Sequence, residues 1–313
     1  MQCKDLLSIS DLTPEEIRRL ISNAVTMKGE GWNARLSQKV LALLFEKPSL
    51  RHRASFEVAM RQLGGECIYL SPAEVGLGQR ESIADVARVL SGYVDCIAAR
   101  TFSHQTLMTL ARYSRVPVIN SLSDLEHPCQ ALADLLTIYE FKEKLEGLTL
   151  AYIGDGNNVA NSLILAATKC GINFRIASPA GYAIKANILE VAREYAAASG
   201  SLIFCTEDPR QAVNSADIVY TDVWTSMGQE SEARKRRKAF AGYQVDARLL
   251  SLAAENAIFM HDLPAHRGEE VADDVMDGPQ SVIFEQSENK MHMLKALLMD
   301  MLGGLEIELA DFR

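Results

Sequence analysis

Short apolar runs alternate with helical-period segments along nearly the whole chain, and this rhythm restricts the fold more than any other feature. Residues 40–45, 67–70, 96–99 and 116–119 read as strands, separated by helical segments at 53–63, 82–90, 105–113 and 128–139. Such alternation builds right-handed βαβ units whose parallel sheet is covered by helices on both faces. An earlier helix opens at Thr13-Pro14-Glu15-Glu16, with Thr13 and Glu16 at capping-box spacing and Pro14 in the first helical position, and runs to about Gly29. The charged stretch EFKEKLEG at 140–147 interrupts the pattern, and a second βαβ series follows, with strands expected at 148–153, 174–177, 202–205, 218–221, 257–260 and 282–284. The expected fold is therefore α/β, two doubly wound parallel-sheet domains divided near residue 147. A last helix at about 287–302 carries Met291, Leu294, Leu297, Leu298 and Met301 at helical spacing, which reads as a core stripe.

Composition supports a packed core. Of the 313 residues, 48% are hydrophobic and 23% charged, far from the composition of chains that stay disordered. With 32 basic against 41 acidic residues the net charge is −9, opposite in sign to what a phosphate backbone attracts, so nucleic acid is not an expected partner. The six cysteines are scattered without a CxxC pair and read as reduced thiols. The opening MQCKDLLSIS lacks the basic and apolar regions of a signal peptide, and no run approaches a membrane span; a cytoplasmic location is expected.

Ligands of open α/β sheets bind at the carboxyl ends of strands, so the loops after strands are the places to search. The first such loop runs Glu46-Lys47-Pro48-Ser49-Leu50-Arg51-His52-Arg53 into a helix, whose unpaired N–H groups would join Ser49, Arg51 and Arg53 in binding an anion. A solvated basic turn that merely caps the helix fits the same residues. Arg100 and Thr101 end the third strand, as an anion contact or a surface ion pair. His127-Pro128-Cys129-Gln130 opens another helix, where His127 and Gln130 would polarise a carbonyl or His127 would only cap. In the second half, Gly154-Asp155-Gly156-Asn157-Asn158 departs from GxGxxG, which argues against a dinucleotide. There Asn158 and Asp222 suit the carboxylate and ammonium of an amino acid, and His261-Asp262-Leu263-Pro264 follows a further strand.

Six ordered stretches resemble the ornithine carbamoyltransferases over nearly the whole chain: FEKPSLRHRASFEVA at 45–59, ESIADVARVLSGY at 81–93, HPCQALAD at 127–134, GDGNNVANS at 154–162, TDVWTSMGQE at 221–230 and HDLPAHRGEEV at 261–271. The resemblance implies transfer of the carbamoyl group of carbamoyl phosphate to the side-chain amine of L-ornithine, giving citrulline and phosphate. No metal or organic cofactor is implied, the usual assembly is a homotrimer, and the usual setting is arginine biosynthesis. Domains would be 1–147 for carbamoyl phosphate and 148–286 for ornithine, with a C-terminal helix, 287–313, returning to the first. Carried over by motif position, Ser49, Leu50, Arg51 and His52 hold the phosphate, while Arg100, His127 and Gln130 face the carbamoyl group, joined by Leu263 and Lys290. Asn158, Asp222, Ser226 and Met227 bind the amino-acid part of ornithine. Arg100, His127 and Asp262 are the expected catalytic residues.

The departures from the family pattern fall inside these motifs. The common anion loop Ser-Thr-Arg-Thr-Arg is here Ser49-Leu50-Arg51-His52-Arg53; His-Cys-Leu-Pro is His261-Asp262-Leu263-Pro264; an expected arginine is Lys290; and Gly76-Leu77-Gly78-Gln79-Arg80 replaces Gln-Leu-Gly-Arg-Gly. A carboxylate at 262 is unfavourable near a dianion unless protonated or compensated. It would serve the acceptor amine as electrostatic partner or proton acceptor, or only hydrogen-bond locally. These changes keep two alternatives in view: a carbamoyltransferase with another acceptor, such as an N-modified ornithine or putrescine, and a non-catalytic paralogue that binds carbamoyl phosphate.

Overall fold

A computed structural model describes residues 1–303 apart from Gln2, Trp32 and Gln79, so the Gln79 departure and the end of the expected 287–313 segment lie outside the described residues. The chain forms two compact units: Met1–Leu136 with the residues from Glu288 onward, and Thr137–Ser287.

The first unit runs α1 (Pro14–Gly29), β1 (Val40–Phe45), α2 (Leu50–Gln62), β2 (Glu66–Leu70), α3 (Pro72–Val75), α4 (Ile83–Leu90), β3 (Cys96–Arg100), α5 (His104–Tyr113), β4 (Val118–Leu122) and the start of α6 (Pro128–Lys142). The second runs β5 (Thr149–Ile153), α7 (Asn158–Lys169), β6 (Asn173–Ala177), α8 (Ala186–Ser199), β7 (Ile203–Thr206), α9 (Pro209–Val213), β8 (Ile218–Thr221), α10 (Ala233–Ala239), α11 (Ala247–Leu250), β9 (Ile258–His261), α12 (Asp273–Met276) and the start of α13 (Ile283–Leu302).

Both sheets are parallel, as the alternation requires, with strand orders β2-β1-β3-β4 and β7-β6-β5-β8-β9. In each, the chain leaves the first strand toward one edge and returns to the other side, creating a switch point where loops diverge and ligands fit. In the first unit it lies between β1 and β3, with Phe45 beside Arg100 and Glu46 N–H donating to the Arg100 carbonyl at 2.8 Å. In the second it lies between β5 and β8, with Ile153 beside Thr221.

Two expected strands are corrected. The run at 116–119 becomes a strand at Val118–Leu122, because Pro117 has no N–H for a ladder and Val116 is held in a turn by Ser114 Oγ. Residues 282–284 are the entry to α13 instead: Val282 N–H bonds the Phe259 carbonyl, and the chain then turns helical. Three apolar residues alone do not distinguish a short strand from a buried helix end. From Glu288 on, α13 is tied to the first unit. Lys28 Nζ donates to Asn289 Oδ1 at 2.9 Å, Lys295 Nζ to the Met27 carbonyl at 3.0 Å, and Arg19 pairs with Asp300 at 2.8 Å.

Candidate functional site

Ser49 is the N-cap of α2, and its Oγ sits 2.9 Å from His52 Nδ1 while also accepting from the His52 backbone N–H at 3.4 Å. The capping geometry turns His52 inward, where it is buried, and its Nε2 lies 2.7 Å from His127 Nε2 with the two rings stacked at 4.6 Å. Arg100, at the end of β3 and buried, brings Nη1 to 3.4 Å from His52 Nδ1. Lys290 of α13 is buried and bears on the same pair. Burial foremost, then the charges of Lys290 and Arg100, hold both imidazoles well below their ordinary 6.5; His52 also feels His127 and Arg51.

One turn into α6, the amide of buried Gln130 donates to Asp134 Oδ1 at 2.7 Å, which fixes its orientation. Its Oε1, also buried, has no partner among the described residues and presents an acceptor. Leu50 is 82% exposed and offers the site only backbone. Arg53 is removed from the anion cluster: its guanidinium pairs with Glu57 at 2.8 Å and lies 3.9 Å over the Tyr69 ring.

In the second unit, Asn157 caps α7, accepting from Val159 and Ala160 N–H, and its Nδ2 donates to Asp222 Oδ2 at 2.7 Å. Asp222 also accepts from Val223 N–H at 2.6 Å. Burial and the charge of Asp262 raise its carboxyl well above the ordinary 3.8. Asp262 follows β9 directly, and Asp222, His261 and Asp262 each present a polar atom within 4.8 Å of the others.

This cluster does not suit a metal, because both nitrogens of His261 are engaged: Nδ1 accepts from Leu263 N–H at 2.9 Å, and Nε2 faces Glu270 Oε1 at 3.2 Å. With its Nδ1 lone pair so used, His261 keeps its proton on Nε2. The 3.6 Å approach of Asp262 to Nδ1 is therefore no ion pair, despite the short distance.

Leu263 takes φ +57, an uncommon conformation for a side chain of its size, and its N–H bond to His261 holds it there. Ser226 and Met227 lie on the loop after β8, where Ser226 N–H bonds Gln229 Oε1 at 3.1 Å and Met227 is half-exposed.

The structure thus gathers Ser49, His52, Arg100, His127 and Lys290 in one unit, and Asp222 with Asp262 in the other. Asn158 is the first residue of α7, but the direct partner of Asp222 is its neighbour Asn157, which sequence reasoning passed over. An asparagine before a helix after a strand is a capping signal, and it pointed to 157. Also missed were Arg236 and Asp155. Arg236 Nη1 donates to Asp155 Oδ2 at 2.6 Å and to the Trp224 carbonyl at 3.0 Å, tying α10 to the loops after β5 and β8. Beside this knot, Trp224 Nε1 and Thr225 Oγ1 are buried without a partner among the described residues.

The carbamoyl-P binding domain of the aspartate/ornithine carbamoyltransferases matches residues 4–140, and the Asp/Orn binding domain matches residues 146–301. An ornithine carbamoyltransferase from Anoxybacillus flavithermus is 52% identical over 303 residues, covering 96% of each chain. The solved ornithine carbamoyltransferase from Pyrococcus furiosus superposes with a TM-score of 0.93 at 49% identity, covering 97% of this chain and 98% of that one. The anabolic ornithine carbamoyltransferase from Campylobacter jejuni gives 0.92 at 40% identity, covering 96% and 99%. With both domains matched in order and half of all residues shared along the full length, the chain belongs to the aspartate/ornithine carbamoyltransferase family, on its ornithine carbamoyltransferase side.

Proposed function

We propose that this chain transfers the carbamoyl group of carbamoyl phosphate to the side-chain amine of L-ornithine, giving L-citrulline and phosphate. Carbamoyl phosphate is assigned to the first half, 1–147, and ornithine to 148–286. In the first, Arg51, Ser49, and the backbone N–H groups at Leu50 and His52 take the phosphate, and Arg100 and His127 polarise the carbamoyl oxygen. Gln130 Oε1, a fixed acceptor, suits the carbamoyl NH₂, as does the Leu263 carbonyl. Lys290 adds buried positive charge behind the pair of imidazoles.

In the second, Asp222 takes the α-ammonium, with Asn158, Ser226 and Met227 completing the amino-acid site. Asp262 takes the proton that the attacking amine must lose. Orientation of a neutral amine against the carbonyl carbon supplies much of the remaining rate. The reading uses neither metal nor organic cofactor. It places the protein as a cytoplasmic homotrimer serving arginine biosynthesis. Light scattering on the purified protein checks the assembly.

The observation that carries the acceptor assignment is the pair of carboxyls, Asp222 and Asp262, at the ends of adjacent strands. Two acids side by side match an acceptor with two amines, one at Cα and one at the end of the side chain. N-acetylornithine lacks the first as a cation, and putrescine lacks the carboxylate. Carbamoylation is measured with ornithine, N-acetylornithine, putrescine and lysine in parallel, and ornithine is expected to give the highest kcat/KM. A faster alternative acceptor replaces ornithine in this reading; no product above background with any acceptor overturns it in favour of a non-catalytic binder.

A further inference from the structure

Two imidazoles meet in the first unit where one suffices to polarise a carbonyl, and their hydrogen bonds determine where the protons are. Arg100 Nη1, 3.4 Å from His52 Nδ1, belongs to a guanidinium and can only donate, so Nδ1 is an acceptor there and accepts from Ser49 Oγ at 2.9 Å as well. Neutral His52 then carries its single proton on Nε2 and donates it across 2.7 Å to His127 Nε2, which leaves the His127 proton on Nδ1. The charged groups facing the pair are Lys290 from α13, Arg100 from the end of β3 and Arg51 from α2 itself, all of one sign. Together with burial they keep the pair uncharged in the free protein.

That positive field is what a dianion cancels. We propose that a tetrahedral dianion seated at the N-terminus of α2 brings one proton with it, and that this proton goes to His52 Nδ1. The anion draws off the guanidinium of Arg100, offsets Arg51 and Lys290 and accepts the hydrogen bond of the Ser49 hydroxyl, whose Oγ then turns a lone pair to Nδ1, so Nδ1 has no donor left and can be protonated. His52 becomes an imidazolium with Nδ1–H directed to Ser49 and the anion, while Nε2–H stays on His127 and holds that ring in one tautomer. The position is threonine in the family pattern, so the device belongs to this chain's own substitution.

Resting on the carbamoyl-transfer reading, one further step follows. When the tetrahedral intermediate collapses, its carbon–oxygen bond to phosphate breaks and the oxygen keeps the electron pair. The Nδ1 proton passes to phosphate, and His52 returns to its neutral form. The amine proton has by then gone to Asp262, so both proton movements are balanced.

The test uses sulfate, a tetrahedral dianion that does not titrate near neutrality, with wild type, His52→Gln and His52→Thr. Glutamine keeps an N–H for His127 but cannot be protonated. Proton uptake on binding makes affinity highest at low pH: the wild-type association constant is expected to fall by about tenfold per pH unit from about pH 6 upward until the bound pair itself titrates. Calorimetry in buffers of different ionisation heat should read about one proton taken up per sulfate. Both variants should show a flat profile and no uptake. A flat wild-type profile, no sulfate binding at pH 6, or a slope retained in His52→Gln overturns the proposal. Citrulline formation measured on the same samples separates the two readings, since absent turnover with the wild-type sulfate slope intact overturns the carbamoyl-transfer reading alone.

Discussion

Asp222 is a carboxyl that folding makes harder to ionise, through burial first and Asp262 second. A group whose native pKa is raised binds more protons folded than unfolded, so its contribution to stability is present below its ordinary 3.8 and is lost as pH rises toward the native value. Asp222→Asn keeps an oxygen for Asn157 Nδ2 and removes the charge. The variant is expected to gain thermal stability relative to wild type at pH 7 compared with pH 4, and to lose ornithine binding at both. An equal offset at the two pH values would show that folding does not raise the Asp222 pKa. Asp262→Cys is expected to lower kcat more than it raises KM for ornithine and to shift the alkaline-rising limb of kcat upward, because a thiol gives up its proton later than a carboxylic acid. An unchanged rate and profile would reduce Asp262 to a local hydrogen-bonding role. At this scale the sequence was informative about residue types but not partners: His52 and Asp262 stood out only against the family pattern. That His52 touches His127 depends on the parallel pairing of β1 with β3 and on the Ser49 cap, neither of which a linear motif encodes.

At the level of elements, the loop after β5 is packed closely at Gly156. Gly156 N–H donates to the Tyr182 carbonyl at 2.7 Å, and a Cβ on Gly156 would fall 2.3 Å from the Ile184 nitrogen, a backbone atom that cannot rotate away. Gly156→Ala is expected to cost about 2–3 kcal/mol, read as a shift of the denaturation midpoint with the slope unchanged. Arg236 holds the same loop from another side. Arg236→Met leaves Asp155 buried without its cation and should cost about 3 kcal/mol, much of it recovered when Asp155→Asn is added. Additive losses would mean that the two side chains do not act as a pair. Most helices and strands were readable from their apolar periodicity, and at Thr13 a cap agreed with it at the same end. The strand near 116 and the apolar triplet at 282–284 were misread where proline chemistry or tertiary pairing overruled a short apolar run. Asn157 shows the same limit: its capping role was legible, but its grip on Asp222 comes from the β5–β8 pairing.

For the molecule as a whole, the acidic balance of −9 coexists with the buried cations Arg100 and Lys290, so overall charge does not describe the surroundings of His52 and His127. None of the six cysteines forms a disulfide; Cys96, Cys129 and Cys170 are buried and Cys205 is exposed. Burial pushes the Cys129 thiol up to about 12 and the Cys67 thiol to the same value. A maleimide pulse on the native protein is therefore expected to label Cys205 first and to reach Cys96, Cys129 and Cys170 only with denaturant. Early labelling of Cys129 would mean that the start of α6 opens in the native state. The last helix also carries a consequence for synthesis. Domains fold in order as a chain emerges, N-terminal part first. Yet Lys290, which faces His52 and His127, is translated only after the entire second unit. A nascent first unit therefore carries its histidine pair without the lysine, and synthesis that stops before α13 leaves the cluster of His52, His127 and Arg100 one buried cation short.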